Sequence, residues 1–190
     1  MSKIVFIIGM RRSGTSLLRK IIKTHNRVED IEFEPNELLE ICERVGIPRY
    51  KKEPFFINTI QRFKQIRDKW YGAKLAVNPG IEAMRWQRLE EVFDKPHYVF
   101  IRRRPHDTYD SWIKNETSTR GICDINLYMG WWLHINASFT HFVKRNIGRS
   151  IIIDYEDLCE KPNETMKKVW SLLGIQTPPN DISAFIKSKK

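Results

Sequence analysis

The sequence has few cysteines, no long apolar run and a deficit of acidic residues, and each shortage excludes a class of protein. Its three cysteines, Cys42, Cys123 and Cys159, are far apart and odd in number, which argues against a disulfide-rich domain and favours a reducing compartment. No cysteine or histidine pair has zinc-site spacing. No apolar run approaches the roughly 18 residues that cross a membrane. We therefore expect a cytoplasmic protein with no membrane span and no metal.

The charge and composition point to an anionic partner. The formal net charge is +10, which is typical of proteins that bind nucleic acid, a membrane surface, or a phosphorylated or sulfated small molecule. A hydrophobic content of 41% is enough to fill a core and excludes a disordered chain. The length of 190 residues favours a single domain spanning residues 1–190.

Short apolar runs alternate with segments of helical periodicity. The run Ile4–Ile8 is typical of a buried parallel strand and is too short for a signal peptide. Further strands are predicted at Ile31–Phe33, Lys74–Val77, Tyr98–Ile101 and Ile151–Ile153. Helix boundary signals include a start at Pro105, a cap at Asp124 and a stop at Gly174. This order predicts an α/β fold of three layers, with a mostly parallel central sheet and helices on both faces.

A glycine-containing loop follows the first predicted strand. Residues Gly9–Ser16 read G-M-R-R-S-G-T-S, and the next helix points its free N–H groups and positive dipole end at this loop. Arg12 adds a cation, and Thr15 and Ser16 add hydroxyl donors, so we expect an anion site in a P-loop NTPase-like fold. A nucleoside-triphosphate P-loop has lysine directly after the second glycine, where this chain has Thr15, and that difference disfavours a kinase using ATP.

Three adjacent arginines follow a second buried strand. The strand Tyr98–Ile101 leads into Arg102–Arg104, and Pro105 then opens a helix. Cations at the carboxyl end of a parallel strand lie on the ligand-binding side of the sheet. Three adjacent arginines cannot all enter one pocket, but Arg103 and Ser111 would face one anion if the chain turns back into a helix. The alternative is a solvated basic turn.

Together these segments resemble the sulfotransferase family, enzymes that use 3′-phosphoadenosine 5′-phosphosulfate (PAPS), including its carbohydrate, tyrosylprotein and bacterial-type members. The loop Arg12–Ser16 is similar to the family motif K/R-S-G-T/S-T/S, which binds the 5′-phosphosulfate. Arg103, Pro105 and Ser111 match R-x-P-x-x-x-x-x-S, which binds the 3′-phosphate. The segment Ile153–Gly174 looks like the family's Y-E-D-L segment with its later proline and L-G. The three motifs occur in family order over nearly the whole chain.

The resemblance implies transfer of a sulfuryl group from PAPS, without a metal, to a hydroxyl or amine of a small-molecule, carbohydrate or peptide acceptor. Carried over by motif, the residues that bind PAPS are Arg11, Arg12, Ser13, Gly14, Thr15, Ser16, Arg103, Ser111 and Tyr155. Arg12 is also expected to stabilise charge during transfer. The F-E-P of Phe33–Pro35 is similar to one in carbohydrate sulfotransferases and makes Glu34 the candidate general base.

Several alternatives remain open. Glu32 is the rival base, because the alignment needs about one inserted residue, and both glutamates could instead be solvated turn residues. A small-molecule kinase would need Mg²⁺ and ATP, and a nucleic-acid-binding module would use the net charge of +10. Nucleic acid is disfavoured because the basic residues are dispersed among acids. The chain also departs from many relatives at Val77-Asn78-Pro79, where those relatives have a lysine before N-P.

Overall fold

The computed structural model describes residues 3–30, 70–77, 89–92, 95–120, 124–178 and 181–187. The strands in these residues are β1 Lys3–Met10, β2 Val28–Asp30, β3 Trp70–Val77, β4 His97–Arg102 and β5 Ser150–Asp154. The helices are α1 Thr15–Ile22, α2 Leu89–Val92, α3 Pro105–Arg120, α4 Ile125–Arg145, α5 Tyr155–Glu160, α6 Pro162–Leu173 and α7 Ser183–Lys187. None of these described helices combines the length and the apolar character that a membrane crossing needs.

The described strands form one parallel sheet in the order β2-β3-β1-β4-β5. Strand β1 lies at its centre, where Ile7 pairs with Lys74 of β3 on one side and with Val99 of β4 on the other. Residues 4–10 of β1 are all buried, which explains why this strand reads as an almost continuous apolar run. Because β1 and β4 are parallel neighbours, the loops that follow them leave the same edge of the sheet.

Helices cover both faces of this sheet. On one face, β1 and β4 contribute Phe6, Ile8, Tyr98 and Phe100 to a cluster with side chains of α3 and α4: Trp112, Tyr128, Ile135 and Phe139. On the other face, Val5, Ile7, Val99 and Ile101 pack with side chains of α1, α5 and α6: Leu17, Leu18, Ile21, Leu158, Met166 and Trp170. Successive strand residues point to opposite faces, so each strand contributes to both layers. The predicted three-layer α/β fold is confirmed.

Three predicted helix boundaries are also confirmed. Helix α3 begins at Pro105. The Asp124 carboxylate caps α4 by accepting hydrogen bonds from the backbone N–H of Asn126 at 2.8 Å and of Leu127 at 3.1 Å. Helix α6 ends at Gly174, whose φ of 63° lies in the left-handed region that glycine adopts without steric cost. Local sequence signals therefore place the ends of helices on both faces of the sheet.

Strand β3 is longer than the sequence pattern predicts. The predicted start is Lys74, whereas β3 begins at Trp70, which pairs with Lys3 of β1. Backbone pairing with the central strand carries β3 through Gly72, although glycine is disfavoured in strands. The predicted strand Ile31–Phe33 lies outside the described residues.

Candidate functional site

The loop between β1 and α1 turns sharply at the carboxyl end of the central strand. Two of its residues have left-handed backbone, Arg12 with a φ of 70° and Gly14 with a φ of 102°. A Cβ atom at Gly14 would also collide with the Tyr155 ring. This position therefore requires glycine, and its backbone lies directly against the aromatic ring.

Helix α1 begins immediately after this loop and directs its first amides toward it. Its N-cap is Gly14, which has no side chain to cap these amides, and its first turn contains no acidic residue. Thr15 is buried and Ser16 is exposed. Ser13 is buried, and its Oγ has no hydrogen-bond partner within the described residues. The uncapped amides and the positive dipole end favour an anion at this place.

Two of the three adjacent arginines at the end of β4 are paired with carboxylates. Arg102 forms a two-pronged ion pair with Asp154 at the end of β5, with Nη2 3.1 Å from Oδ2. The hydrogen bonds to Asp154 raise the pKa of the Arg102 guanidinium above its ordinary value. Arg104 donates from Nε to Asp107 at 2.8 Å and from its backbone N–H to Glu156 at 3.0 Å. These pairs fasten the turn after β4 to β5 and α5.

Arg103 is the arginine of the three that contacts the loop after β1. Its Nη1 donates to the Arg12 carbonyl oxygen at 3.3 Å, and its guanidinium carbon lies 4.7 Å from the centre of the Tyr155 ring. Burial and the hydrogen bond to Cys159 raise the pKa of the Tyr155 phenol, so the ring stays uncharged and faces the cation as a neutral partner. The Arg103 Nε is buried without a hydrogen-bond partner within the described residues.

The two segments predicted to bind anions meet in the fold. Arg12 Nε donates to Ser111 Oγ of α3 at 3.1 Å, although these residues are 99 positions apart. This contact and the one between Arg103 and the Arg12 carbonyl exist because β1 and β4 are neighbours in the sheet. The result is a cluster of guanidinium groups and hydroxyls at one sheet edge, a donor set suited to a ligand with several negative charges.

This combination of fold and site agrees with a known protein family. The family model described as "Sulfotransferase domain" matches residues 2–188. The chain belongs to the sulfotransferase family. No curated protein matches this sulfotransferase significantly in sequence.

Solved sulfotransferase structures share its fold. The sulfotransferase domain of the curacin biosynthetic pathway superposes with a TM-score of 0.67 at 17% identity, covering 98% of this chain and 83% of that one. A sulfotransferase from Alicyclobacillus acidocaldarius gives 0.65 at 13% identity, with coverages of 100% and 90%. A mouse sulfotransferase complexed with PAP gives 0.64 at 16% identity, with coverages of 100% and 65%. These identities are low, so the likeness shows the shared fold.

The structure describes every nucleotide-binding residue predicted from the sulfotransferase motifs. Arg12 contacts both Ser111 and Arg103, and Tyr155 lies against Gly14. The remaining predicted residues line the same loop and the first turn of α1: Arg11, Ser13, Thr15 and Ser16. Both candidate bases, Glu32 and Glu34, lie outside the described residues.

Sequence reasoning missed the groups that brace this sulfotransferase site. Asp154 and Glu156 hold the flanking arginines, and they lie inside the Y-E-D-L segment, so that motif carried a usable signal. Trp132 donates from Nε1 to the Arg103 carbonyl oxygen at 3.0 Å. Nothing in the sequence distinguishes this tryptophan from its neighbour Trp131, since both fit an apolar helix face.

Metal-ligating side chains do not cluster among the described residues of this sulfotransferase. Those residues contain no group of three or more histidine, cysteine, aspartate or glutamate side chains placed to hold a metal ion. The guanidinium of Arg12 belongs to the loop after β1, and that of Arg103 donates to the Arg12 carbonyl oxygen.

Proposed function

We propose that this sulfotransferase transfers a sulfuryl group from PAPS to a hydroxyl or amine acceptor. The observation that carries the proposal is the contact between Arg12 and Ser111, which joins the loop after β1 to the motif after β4. PAPS has anionic groups at both ends of an adenosine. A site with two joined anion-binding segments at one sheet edge fits such a molecule better than either segment alone.

The donor set of the described residues fits this nucleotide. Amides and hydroxyls around Ser13 and Thr15, with the Arg12 cation, would hold the 5′-phosphosulfate. Arg103 and Ser111 would hold the 3′-phosphate, since a guanidinium and a hydroxyl both donate to phosphate oxygens. The buried Ser13 Oγ and Arg103 Nε, which have no hydrogen-bond partners within the described residues, support this assignment. When bound, PAPS supplies an activated sulfuryl group.

The protein residues act mainly by binding, orientation and electrostatics, as in phosphoryl transfer. Arg12 and the first amides of α1 lie where they can stabilise the negative charge that develops during transfer. Glu34 is proposed as the general base whose carboxylate accepts the acceptor's proton, with Glu32 as the rival. The acceptor belongs to small molecules, carbohydrates or peptides, and the separated cysteines support a cytoplasmic location.

Calorimetric titration tests the donor assignment. Adenosine 3′,5′-bisphosphate is expected to bind without Mg²⁺, because the site offers cations of its own. ATP with Mg²⁺ is the matched alternative, since Thr15 stands where a kinase would have its lysine. Magnesium-dependent binding of ATP with no binding of the bisphosphate would reject the proposal and favour a kinase.

Transfer assays with sulfur-labelled PAPS and a panel of acceptors test the base. Glu34→Gln is expected to lower kcat by about 100-fold or more, the usual contribution of a general base, while leaving the affinity for adenosine 3′,5′-bisphosphate unchanged. Glu32→Gln is the matched control. If Glu32→Gln loses activity and Glu34→Gln retains it, the two roles are exchanged.

A further inference from the structure

The indole of Trp132 makes a hydrogen bond to the turn between β4 and α3. It belongs to α4 and packs at the edge of the cluster of α3, α4 and sheet side chains. Its indole has one donor, and that donor is committed to the Arg103 carbonyl oxygen at 3.0 Å. Trp132 therefore links α4, on one face of the sheet, to the turn that carries a proposed phosphate ligand.

The Arg103 carbonyl lies in the turn that joins β4 to α3. Strand β4 ends at Arg102 and helix α3 begins at Pro105, so the connection is very short. Thr108 Oγ1 donates to the Arg104 carbonyl at 2.8 Å and reaches the Arg103 carbonyl at 3.4 Å. The stronger hydrogen bond to the Arg103 carbonyl is the one from Trp132, and it fixes the peptide plane that follows Arg103.

The side chain of Arg103 is held at its other end by different groups. Its guanidinium stacks 4.7 Å from the Tyr155 ring centre and donates to the Arg12 carbonyl at 3.3 Å. Fixing both the backbone and the guanidinium restricts the rotamers of a long side chain before any ligand binds. Preorganisation of this kind reduces the entropy lost when an arginine binds phosphate.

We propose that Trp132 is a positioning residue for the 3′-phosphate end of the donor site, acting through Arg103. This inference rests on the proposed function, because it assigns the 3′-phosphate to Arg103. The indole N–H of Trp132 is already committed to the Arg103 carbonyl oxygen, so Trp132 acts on the phosphate through Arg103. Its effect is therefore confined to the phosphate that Arg103 binds and does not extend to the 5′ end, which is bound by the loop after β1.

The test compares two ligands on matched variants by calorimetry. Trp132→Phe removes the N–H and keeps an aromatic ring, and Trp131→Phe is the control one position earlier on α4. For Trp132→Phe we expect the Kd of adenosine 3′,5′-bisphosphate to rise about five- to twentyfold, which corresponds to loss of one positioning hydrogen bond. The Kd of adenosine 5′-phosphate, which lacks the 3′-phosphate, is expected to change less than about twofold in either variant.

Other outcomes distinguish failure of this inference from failure of the proposed function. Equal weakening of both ligands by Trp132→Phe means a general distortion of the site and overturns the inference, as does an unchanged Kd for the bisphosphate. The inference would also be overturned if Trp132→Phe raised the Kd of the bisphosphate by the same factor in an Arg103→Ala background, because the effect would then not run through Arg103. If Trp132→Phe does not fold, Trp132→Met supplies a flexible apolar side chain without a donor. Failure of the wild-type chain to bind the bisphosphate rejects the proposed function instead.

Discussion

At the scale of single residues, unusual backbone conformations coincide with the proposed donor loop. Arg12 and Gly14 both have positive φ, and such conformations cost free energy that the surrounding structure must offset. The Tyr155 ring and the hydrogen bond from Arg12 to Ser111 are the contacts that hold this loop in place. Substitutions there are therefore expected to affect both stability and ligand binding.

Gly14→Ala is expected to lower the unfolding free energy by about 1–3 kcal/mol, because alanine is strained at this φ and its Cβ collides with Tyr155. Thermal unfolding measures the change, at about 2–4 °C per kcal/mol for a chain of this size. Gly130→Ala is the control: a Cβ at Gly130, inside α4, has no neighbour within 4 Å, so this variant is expected to gain about 0.5–1 kcal/mol. Equal changes in unfolding free energy for Gly14→Ala and Gly130→Ala would contradict the requirement for glycine at position 14.

Arg103→Gln is expected to weaken adenosine 3′,5′-bisphosphate binding by about 10- to 100-fold, because charge-assisted hydrogen bonds contribute about 1.5–3 kcal/mol. Arg104→Gln is the matched control: it removes the same charge one position later, where the side chain is exposed and paired with Asp107. Its Kd is expected to stay within about threefold of wild type. Equal losses in both variants would show that the triplet acts only through its total charge.

At the scale of elements, β4 is fastened to its neighbours at both ends. At its carboxyl end, the ion pair between Arg102 and Asp154 joins it to β5. At its amino end, Arg149 donates to the carbonyl oxygen of Pro96, the residue before β4, at 3.2 Å. Arg149 also donates to both carboxylate oxygens of Glu90 at 2.7 and 2.8 Å, beside the buried Tyr98. Burial and then the hydrogen bond to Glu90 raise the pKa of the Tyr98 phenol above its ordinary value.

This shift predicts a loss of stability in alkaline solution. Below pH 10 the Tyr98 phenol is protonated in both states, whereas above about pH 10 only the unfolded chain loses the proton. The unfolding free energy should then fall by up to about 1.4 kcal/mol per pH unit from this group. Denaturant unfolding between pH 8 and 11 should show a shallower decline for Tyr98→Phe than for wild type. Parallel curves would mean that Tyr98 ionises as easily when folded.

At the scale of the whole molecule, the net charge of +10 does not by itself say which cations bind a ligand. Local ion pairs decide which arginines have carboxylate partners. Carboxylates pair with the side chains of Arg102 and Arg104, whereas Arg103 donates to the Arg12 backbone carbonyl and the Arg12 side chain donates to Ser111. The parallel sheet brings these two arginines to one edge, at the amino end of α1. The charge of the chain therefore supports binding of a small polyanion at this edge.

A metal-independent reaction is expected from this arrangement. Sulfuryl transfer in the presence of EDTA should proceed at the rate measured with added Mg²⁺, because the cations at the site are guanidinium groups. The measurement is the initial rate with labelled PAPS at saturating acceptor. A rate abolished by EDTA and restored by Mg²⁺ would contradict it and indicate a metal ligand set that includes residues outside the described ranges.

The sequence by itself determined the strand–helix alternation and the loop around Gly14, because these depend on residues close together in the chain. That Arg103 and Ser111 bind one anion stays a prediction. The roles of Glu34 and Glu32, and the single domain over residues 1–190, stay predictions. Only the tertiary structure decided that Arg12 reaches Ser111, since this contact needs β1 beside β4. The tertiary structure likewise decided that Arg103 contacts the loop after β1 and that Trp132 donates to the Arg103 carbonyl. Both contacts depend on partners supplied by distant elements.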